Sequence, residues 1–350
     1  MSRQESPLNI IDELLVRRRD DISPHDSGLD KHINVAFDGG GTGGIVGLGM
    51  ADVLYNEGLL KRANSFSGVS IGAHLATVAI TGQIEQTKDF LVDGFTNNDF
   101  IKPSRLLRGK PMVDLNILEK ALYDVPLDFQ KLSDDERDIF VGVTRLRPYG
   151  QEIWSKNKLI DPNNPARYVG ALMATVHLPR VAGKPPMING APYADGGMAT
   201  VDTPHIAFTA LRDIDTDQSV QVLNIANKPK PSRSIVNHEF TGFVAKWMGR
   251  HGEEQTKHEF RRFSRVQAAI LNSPDTKPIQ RLYPDTKAHI PEVLSRDPEL
   301  LRKGFIAGQN AAMLAIGMSV GELEPKPDQR RSFKQILGDK ALKTIFSLAP

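Results

Sequence analysis

The sequence predicts an α/β fold with parallel strands. A short apolar run, Ile33 to Phe37, breaks into glycines at Gly39, Gly40, Gly41, Gly43 and Gly44. After one helical pattern comes a second short run, Ser65 to Val69, which turns through Gly68-Val69-Ser70-Ile71-Gly72 into another helical pattern. Strand, helix, strand, helix at this spacing is the repeat of a parallel βαβ unit. The chain has 350 residues, 40% of them hydrophobic and 25% charged, so it is long enough for one large α/β domain or two smaller ones.

Composition narrows the chemistry. The net charge of +2 gives no strong attraction to nucleic acid or anionic lipid. There is no cysteine, which removes disulfides, thiol catalysis and thiolate metal sites. The first twenty residues mix Arg, Glu and Asp with apolar residues, and no apolar run follows a basic start, so no signal peptide is expected. No run of about 18 apolar residues occurs, so no transmembrane helix is expected either. The expected location is cytoplasmic or peripheral to a membrane.

The elements follow in order. Leu8, Ile11, Leu14 and Leu15 recur at helical spacing, and Arg17, Arg18 and Arg19 stand at the helix's C-terminal end, where the dipole favours cations. This helix is either docked on the main domain or an arm facing a membrane or partner. Asp20 to Asp30, with Pro24 and Gly28, reads as a linker. Helices are expected at Ile45 to Leu60, Ile71 to Thr81, Thr87 to Phe95, Asp114 to Tyr123, Pro165 to Thr175 and Pro204 to Leu211. Strands are expected at Asp138 to Arg145, beside Gln151 to Ser155, and at Ser219 to Ala226 and Lys277 to Tyr283. Ser234 to Leu271 reads as mainly helical, Pro298 to Met318 as one long helix and Phe333 to Phe346 as a last one. The expected division is residues 1–30 as arm and linker, 31–320 as the main domain and 321–350 as a tail.

A glycine loop between a strand and a helix aims several backbone N–H groups at one point, where the helix dipole adds positive potential. Three chemistries use such a loop: dinucleotide binding, phosphate cradling and oxyanion stabilisation. Gly39-x-Gly41-x-x-Gly44 fits the dinucleotide pattern, but no acidic residue closes the second strand. Gly43-Gly44-Ile45 does not continue as the Gly-Lys-Ser/Thr of a P-loop. Gly68-x-Ser70-x-Gly72 is the pattern of a nucleophile on a sharp strand-to-helix corner. A serine needs a base. His74, His177, His205, His238, His251, His258 and His289 are available, and none stands in a recognisable context. His74, one turn beyond Ser70, is either a pocket residue or a satisfied helix residue. Asp195, in Tyr193-Ala194-Asp195-Gly196-Gly197, sits in a glycine-flanked turn before the helix start Asp202-Thr203-Pro204.

The ordered set Asp38-Gly39-Gly40-Gly41-x-x-Gly44, Gly68-x-Ser70-x-Gly72 and Asp195-Gly196-Gly197 resembles the patatin-like phospholipase family. Ala171 to Pro179 resembles that family's small-residue helix ending in proline. The resemblance covers about Ile33 to Ala226. It implies a three-layer α/β fold with a mostly parallel central sheet flanked by helices. It implies Ser70 as nucleophile and Asp195 as base, with an oxyanion hole from Gly39, Gly40, Gly41, Thr42, Gly43 and Gly44. It implies phospholipase A or lysophospholipase-type hydrolysis of a membrane lipid or lipid aggregate, with no cofactor, no metal and no nucleic-acid partner. The family usually has Arg or Lys just before the last loop glycine, where this chain has Gly43. An acyltransferase using the same acyl-serine, a lipid-binding pseudoenzyme and a nucleotide-binding module remain as alternatives. Arg250 to Arg265, with Arg261, Arg262, Phe260 and Phe263, is either a solvated helix face or a lipid-facing patch.

Overall fold

The computed structural model of the chain describes residues 9–318 apart from 27, 97–99, 125–126, 180, 201, 213–218, 230–277, 289 and 293. The expectations for Ser234 to Leu271, for Arg250 to Arg265, for Phe333 to Phe346 and for His238, His251, His258 and His289 lie outside these residues.

The first helix, α1 (Ile10–Arg19), is capped by Asn9, whose side chain accepts from the Asp12 N–H. It buries Ile10, Ile11 and Leu14 in the main core. Arg17 is wholly buried, and its guanidinium donates to the carbonyls of Arg62 and Lys31 and to Asn64 Oδ1. The guanidinium fork finds three fixed acceptors under α1, which is the docked helix of the two readings. The segment read as a linker is likewise tied down, since Asn64 Nδ2 donates to Pro24 O at 2.6 Å and Arg62 Nη1 to Ile22 O at 2.9 Å.

Next come β1 (Lys31–Phe37), α2 (Gly44–Asn56), β2 (Ser65–Val69) and α3 (Ile71–Thr81), the βαβα unit the spacing predicts. The following region is more broken. A six-residue helix, α4 (Ile84–Asp89), passes into a π-helical turn at Phe90–Gly94, where the sequence pattern suggests one helix from Thr87 to Phe95. Then come α5 (Leu115–Asp124) and a short α6 (Phe129–Asp134). The strands β3 (Asp138–Leu146) and β4 (Tyr149–Ser155) form an antiparallel hairpin. After α7 (Lys156–Leu159) and α8 (Ala166–Thr175), a two-residue β5 (Met187–Ile188) pairs with β6 (Ala191–Asp195). The described chain closes with α9 (Thr203–Leu211), β7 (Ser219–Ile225), β8 (Ile279–Leu282) and α10 (Pro298–Ala315).

Among the described residues the eight strands make one sheet in the order β5-β6-β3-β2-β1-β7-β8, with β4 on the other edge of β3. The pairs among β3, β2, β1, β7 and β8 are parallel, and those of β4, β5 and β6 antiparallel. Side chains alternate along β1: Ile33, Val35 and Phe37 join the large core under α2, α3, α8 and α10. Ala36 points to the opposite face, where it packs with Val69, Val222 and the α9 residues Ile206 and Ala207. This is a three-layer α/β arrangement with a mostly parallel central sheet.

One strand explains how distant parts of the chain meet. β4 occupies one edge of β3 over Phe140 to Leu146. The other edge is shared: β2 pairs with its first half, up to Val69 opposite Gly142, and β6 with its second half, down to Asp195 opposite Val143. The ends of β2 and β6 therefore meet beside adjacent residues of one strand.

Candidate active site

Ser70 follows the last residue of β2 and precedes α3, with φ 53° and ψ −135°. Positive φ in a residue bearing a Cβ costs about 1–3 kcal/mol and persists only where the surroundings enforce it. They do so here. A Cβ on Gly72 would run into the Phe37 carbonyl, so α3 starts pressed against the end of β1. The Ser70 N–H donates to Thr175 Oγ1 at 2.9 Å, and Thr175 Oγ1 in turn donates to Gly142 O at 2.6 Å. The last residue of α8 thus fixes the corner, which no sequence motif signals.

Asp195 is held on three sides. Its N–H donates to His177 O at 2.9 Å, its carbonyl accepts from Thr144 Oγ1 at 2.7 Å and its Oδ1 accepts from Gly197 N–H at 2.8 Å. Its side chain is 5% exposed, and burial pushes its pKa up to about 6, while the neighbouring Ser70 hydroxyl and the Gly197 amide act in the opposite sense. Ser70 Oγ makes no hydrogen bond of ordinary length and angle among the described residues, so the pair is adjacent rather than closed. Catalytic hydrogen bonds are commonly long or poorly aligned before substrate binds.

The glycine loop faces the same point. A Cβ on Gly39 would stand 3.2 Å from both Ser70 Cβ and the Val69 carbonyl oxygen, so the loop lies close against the serine. Gly40 and Gly41 have φ 145° and 57°. Two of the loop amides are used inside the turn: Gly43 N–H donates to Gly40 O at 3.1 Å, and Gly44 N–H to the Gly41 and Thr42 carbonyls. The N–H groups of Gly39, Gly40, Gly41 and Thr42 meet no acceptor among the described residues. Asn227, just past β7, clamps the loop from behind, with Nδ2 donating to Asp38 O at 2.7 Å and to Gly39 O at 3.0 Å while Oδ1 accepts from Gly47 N–H at 3.0 Å. A second brace runs beneath. Asn224 Nδ2 donates to Asp38 Oδ1 at 3.0 Å, and Arg281 donates to Asn224 Oδ1 and to both carboxylate oxygens of Asp202. Asn224, Asn227 and Arg281 have no motif context and escape sequence reading. The polar end of a strong strand is their one local hint.

Ser70, Asp195 and Gly39 to Thr42 line one cavity of about 380 Å³, whose remaining wall is mostly apolar and includes Phe95, Phe100, Leu118, Val176, Leu178 and Leu294. Lys228 also lines it, a cation that Gly43 does not supply. Among the described residues none of its lining is a histidine. His74 instead faces a neighbouring pocket, where its Nε2 pairs with Leu172 O at 3.1 Å and burial lowers its pKa to about 4. It is the satisfied helix residue of the two readings. His177 lines a different cavity beside Arg105, and its carbonyl accepts from the Asp195 N–H. No group of three or more metal-ligating side chains occurs among the described residues.

Residues 35–208 match the family model described as patatin-like phospholipase. These residues form a patatin-like phospholipase domain. That family supports lipid hydrolysis as the class of activity and lipids as the class of substrate. No curated protein sequence matches the chain. Among solved structures, VipD from Legionella pneumophila is similar at 13% identity, over 83% of this chain and 67% of that one, with a TM-score of 0.41. Human GIVD cytosolic phospholipase A2 in complex with methyl γ-linolenyl fluorophosphonate is similar at 13% identity, over 89% of this chain and 62% of that one, with a TM-score of 0.40. The chain thus spans somewhat under two thirds of the human enzyme's length. Among the described residues no helix of this patatin-like chain is long and apolar enough to cross a membrane.

Proposed function

We propose that this patatin-like chain is a serine esterase of the phospholipase A or lysophospholipase type, with Ser70 as nucleophile and Asp195 as base. The observation that carries the reading is the placement of a strained serine and a buried carboxylate side by side in an apolar cavity bordered by unused glycine amides. Ionised Asp195 takes the Ser70 proton as Oγ bonds to the ester carbonyl carbon and the carbonyl π pair moves onto oxygen. The N–H groups of Gly39, Gly40, Gly41 and Thr42 are the donors for that oxyanion, each worth about 3 kcal/mol in the transition state. Those of Gly43 and Gly44 act through the turn they close.

Collapse of this intermediate breaks the ester C–O bond, and Asp195 returns the proton to the departing alcohol. Water then attacks the acyl-Ser70 carbonyl, Asp195 accepting its proton and passing it to Ser70 Oγ as the fatty acid leaves. Desolvation keeps the base near neutrality, where a carboxylate is strong enough to accept a hydroxyl proton and is still ionised at pH 7. The apolar lining suits the acyl chain and Lys228 the polar end of the lipid. Ser70→Ala and Asp195→Asn are each expected to lower kcat by about a thousandfold or more on phospholipid and nitrophenyl ester substrates, with an unchanged circular dichroism spectrum. A Ser70→Ala protein that still turns over these esters contradicts the proposal.

A further inference from the structure

Ile71 and Leu118 are part of the apolar lining of the Ser70 cavity. Both also line a second pocket of about 70 Å³ on their far side, whose apolar wall includes Val78, Phe90, Leu91 and Leu122. Each of the two is 5% exposed, and no other described residue lines both spaces, so the pair forms the partition between them. The polar groups around the second pocket are largely spoken for. His74 pairs with Leu172 O, Thr77 Oγ1 bonds to Tyr168 Oη, Thr87 Oγ1 donates to Gln83 O and Gln83 Oε1 accepts from Asp128 N–H. A small pocket whose polar groups are already satisfied has little to offer water or a headgroup, and suits methylene groups.

The two halves of the partition differ in what else they do. Ile71 follows the nucleophile directly, and its side chain lies against the glycine loop: a Cβ on Gly44 would stand 2.7 Å from Ile71 Cγ2. Its χ1 is also restricted by β-branching in a helix. Leu118 stands on α5, outside the Ser70 corner and the loop, and an unbranched Cβ lets it change rotamer. Of the two it is the one that can be shortened or moved without disturbing the chemistry.

We propose that Leu118 sets the acyl-chain length this site accepts: an acyl chain esterified to Ser70 runs along the apolar wall towards Ile71, stops at Leu118, and enters the second pocket only when that side chain is withdrawn. The inference rests on the hydrolase reading for where the chain begins, and on the shared partition for where it ends.

The test is a series of nitrophenyl esters from butanoate to hexadecanoate, read as kcat/KM against chain length, together with fatty acids of the same lengths competing for a fluorescent fatty acid on Ser70→Ala protein. Leu118→Ala is expected to move the optimum to longer chains and to raise the long-to-short kcat/KM ratio at least tenfold, since each newly buried methylene contributes about fourfold. Adding Ala121→Phe, which fills the second pocket from α5, is expected to return the ratio towards that of the wild type. Leu118→Val serves where Leu118→Ala does not unfold cooperatively, with a smaller shift in the same direction. A chain-length profile that does not move in a folded Leu118 variant, a gain that survives Ala121→Phe, or no fatty-acid binding at all overturns the proposal. The two readings fail separately. Hydrolysis independent of Ser70 with a shifted binding profile sinks the hydrolase reading alone, whereas Ser70-dependent hydrolysis with an unshifted profile sinks the role of Leu118 alone.

Discussion

The Asp195 carboxyl has a pKa of about 6 because burial penalises its charged form more than the Gly197 amide and the Ser70 hydroxyl favour it. This has two consequences of opposite sign. For the reaction, the base is ionised only above about pH 6, so kcat/KM is expected to fall as pH drops through that value. For stability, the folded pKa lies above the ordinary 3.8, so between about pH 4 and 6 the folded protein binds the proton more tightly than the unfolded chain. Stability contributed by this group is present at low pH and lost as pH rises through that window, by about 3 kcal/mol at neutrality. Asp195→Asn keeps an oxygen for the Gly197 N–H and removes the buried charge. Urea unfolding at pH 7.5 is expected to show the variant more stable than the wild type, with the difference vanishing below about pH 4. A variant equally or less stable at pH 7.5 contradicts the desolvation account.

At the scale of an element, the corner from β2 through Ser70 into α3 is set by contact rather than by helix propensity. Ala is a better helix former than Gly by about 1 kcal/mol, so an isolated helix would gain from Gly72→Ala. Here the added methyl meets the Phe37 carbonyl, a backbone atom in the middle of the sheet that cannot turn away. Gly72→Ala is therefore expected to destabilise the fold by about 1–3 kcal/mol and to displace Ser70, read as a lower urea midpoint together with slower ester hydrolysis. Gly68-x-Ser70-x-Gly72 was legible because this crowding needs small residues at fixed spacing. The same holds for Ile71 to Thr81, whose continuous apolar run gives a helix buried on all sides and ends at Gly82 with φ 73°. Thr87 to Phe95 misled because its spacing fits a helix while the π turn at Phe90–Gly94 depends on packing, with Phe90, Phe95 and Phe100 in ring contact. The burial of Arg17 was not legible for a similar reason: its acceptors are carbonyls and an amide from other elements, which helical periodicity does not carry.

Across the whole molecule, β3 closes the distance between Ser70 and Asp195. The parallel β2 ends opposite Gly142 on one edge, and the antiparallel β6 ends opposite Val143 on that same edge. Their relation is a matter of strand register, and a sequence without its sheet order does not state it. The motifs gave the residue types; the meeting of the two strand ends came from topology. Asn224, Asn227 and Arg281 were illegible on the same grounds, because their partners Asp38, Gly39, Gly47 and Asp202 belong to other segments. The most direct measurement of the central claim is labelling by an alkyl fluorophosphonate, with the modified peptide located by mass spectrometry and the rate followed against pH. Labelling confined to Ser70, with a rate that rises through about pH 6 and is lost in Asp195→Asn, is the expected result. Labelling that is absent, that falls on another residue, or that proceeds unchanged in Asp195→Asn contradicts the account.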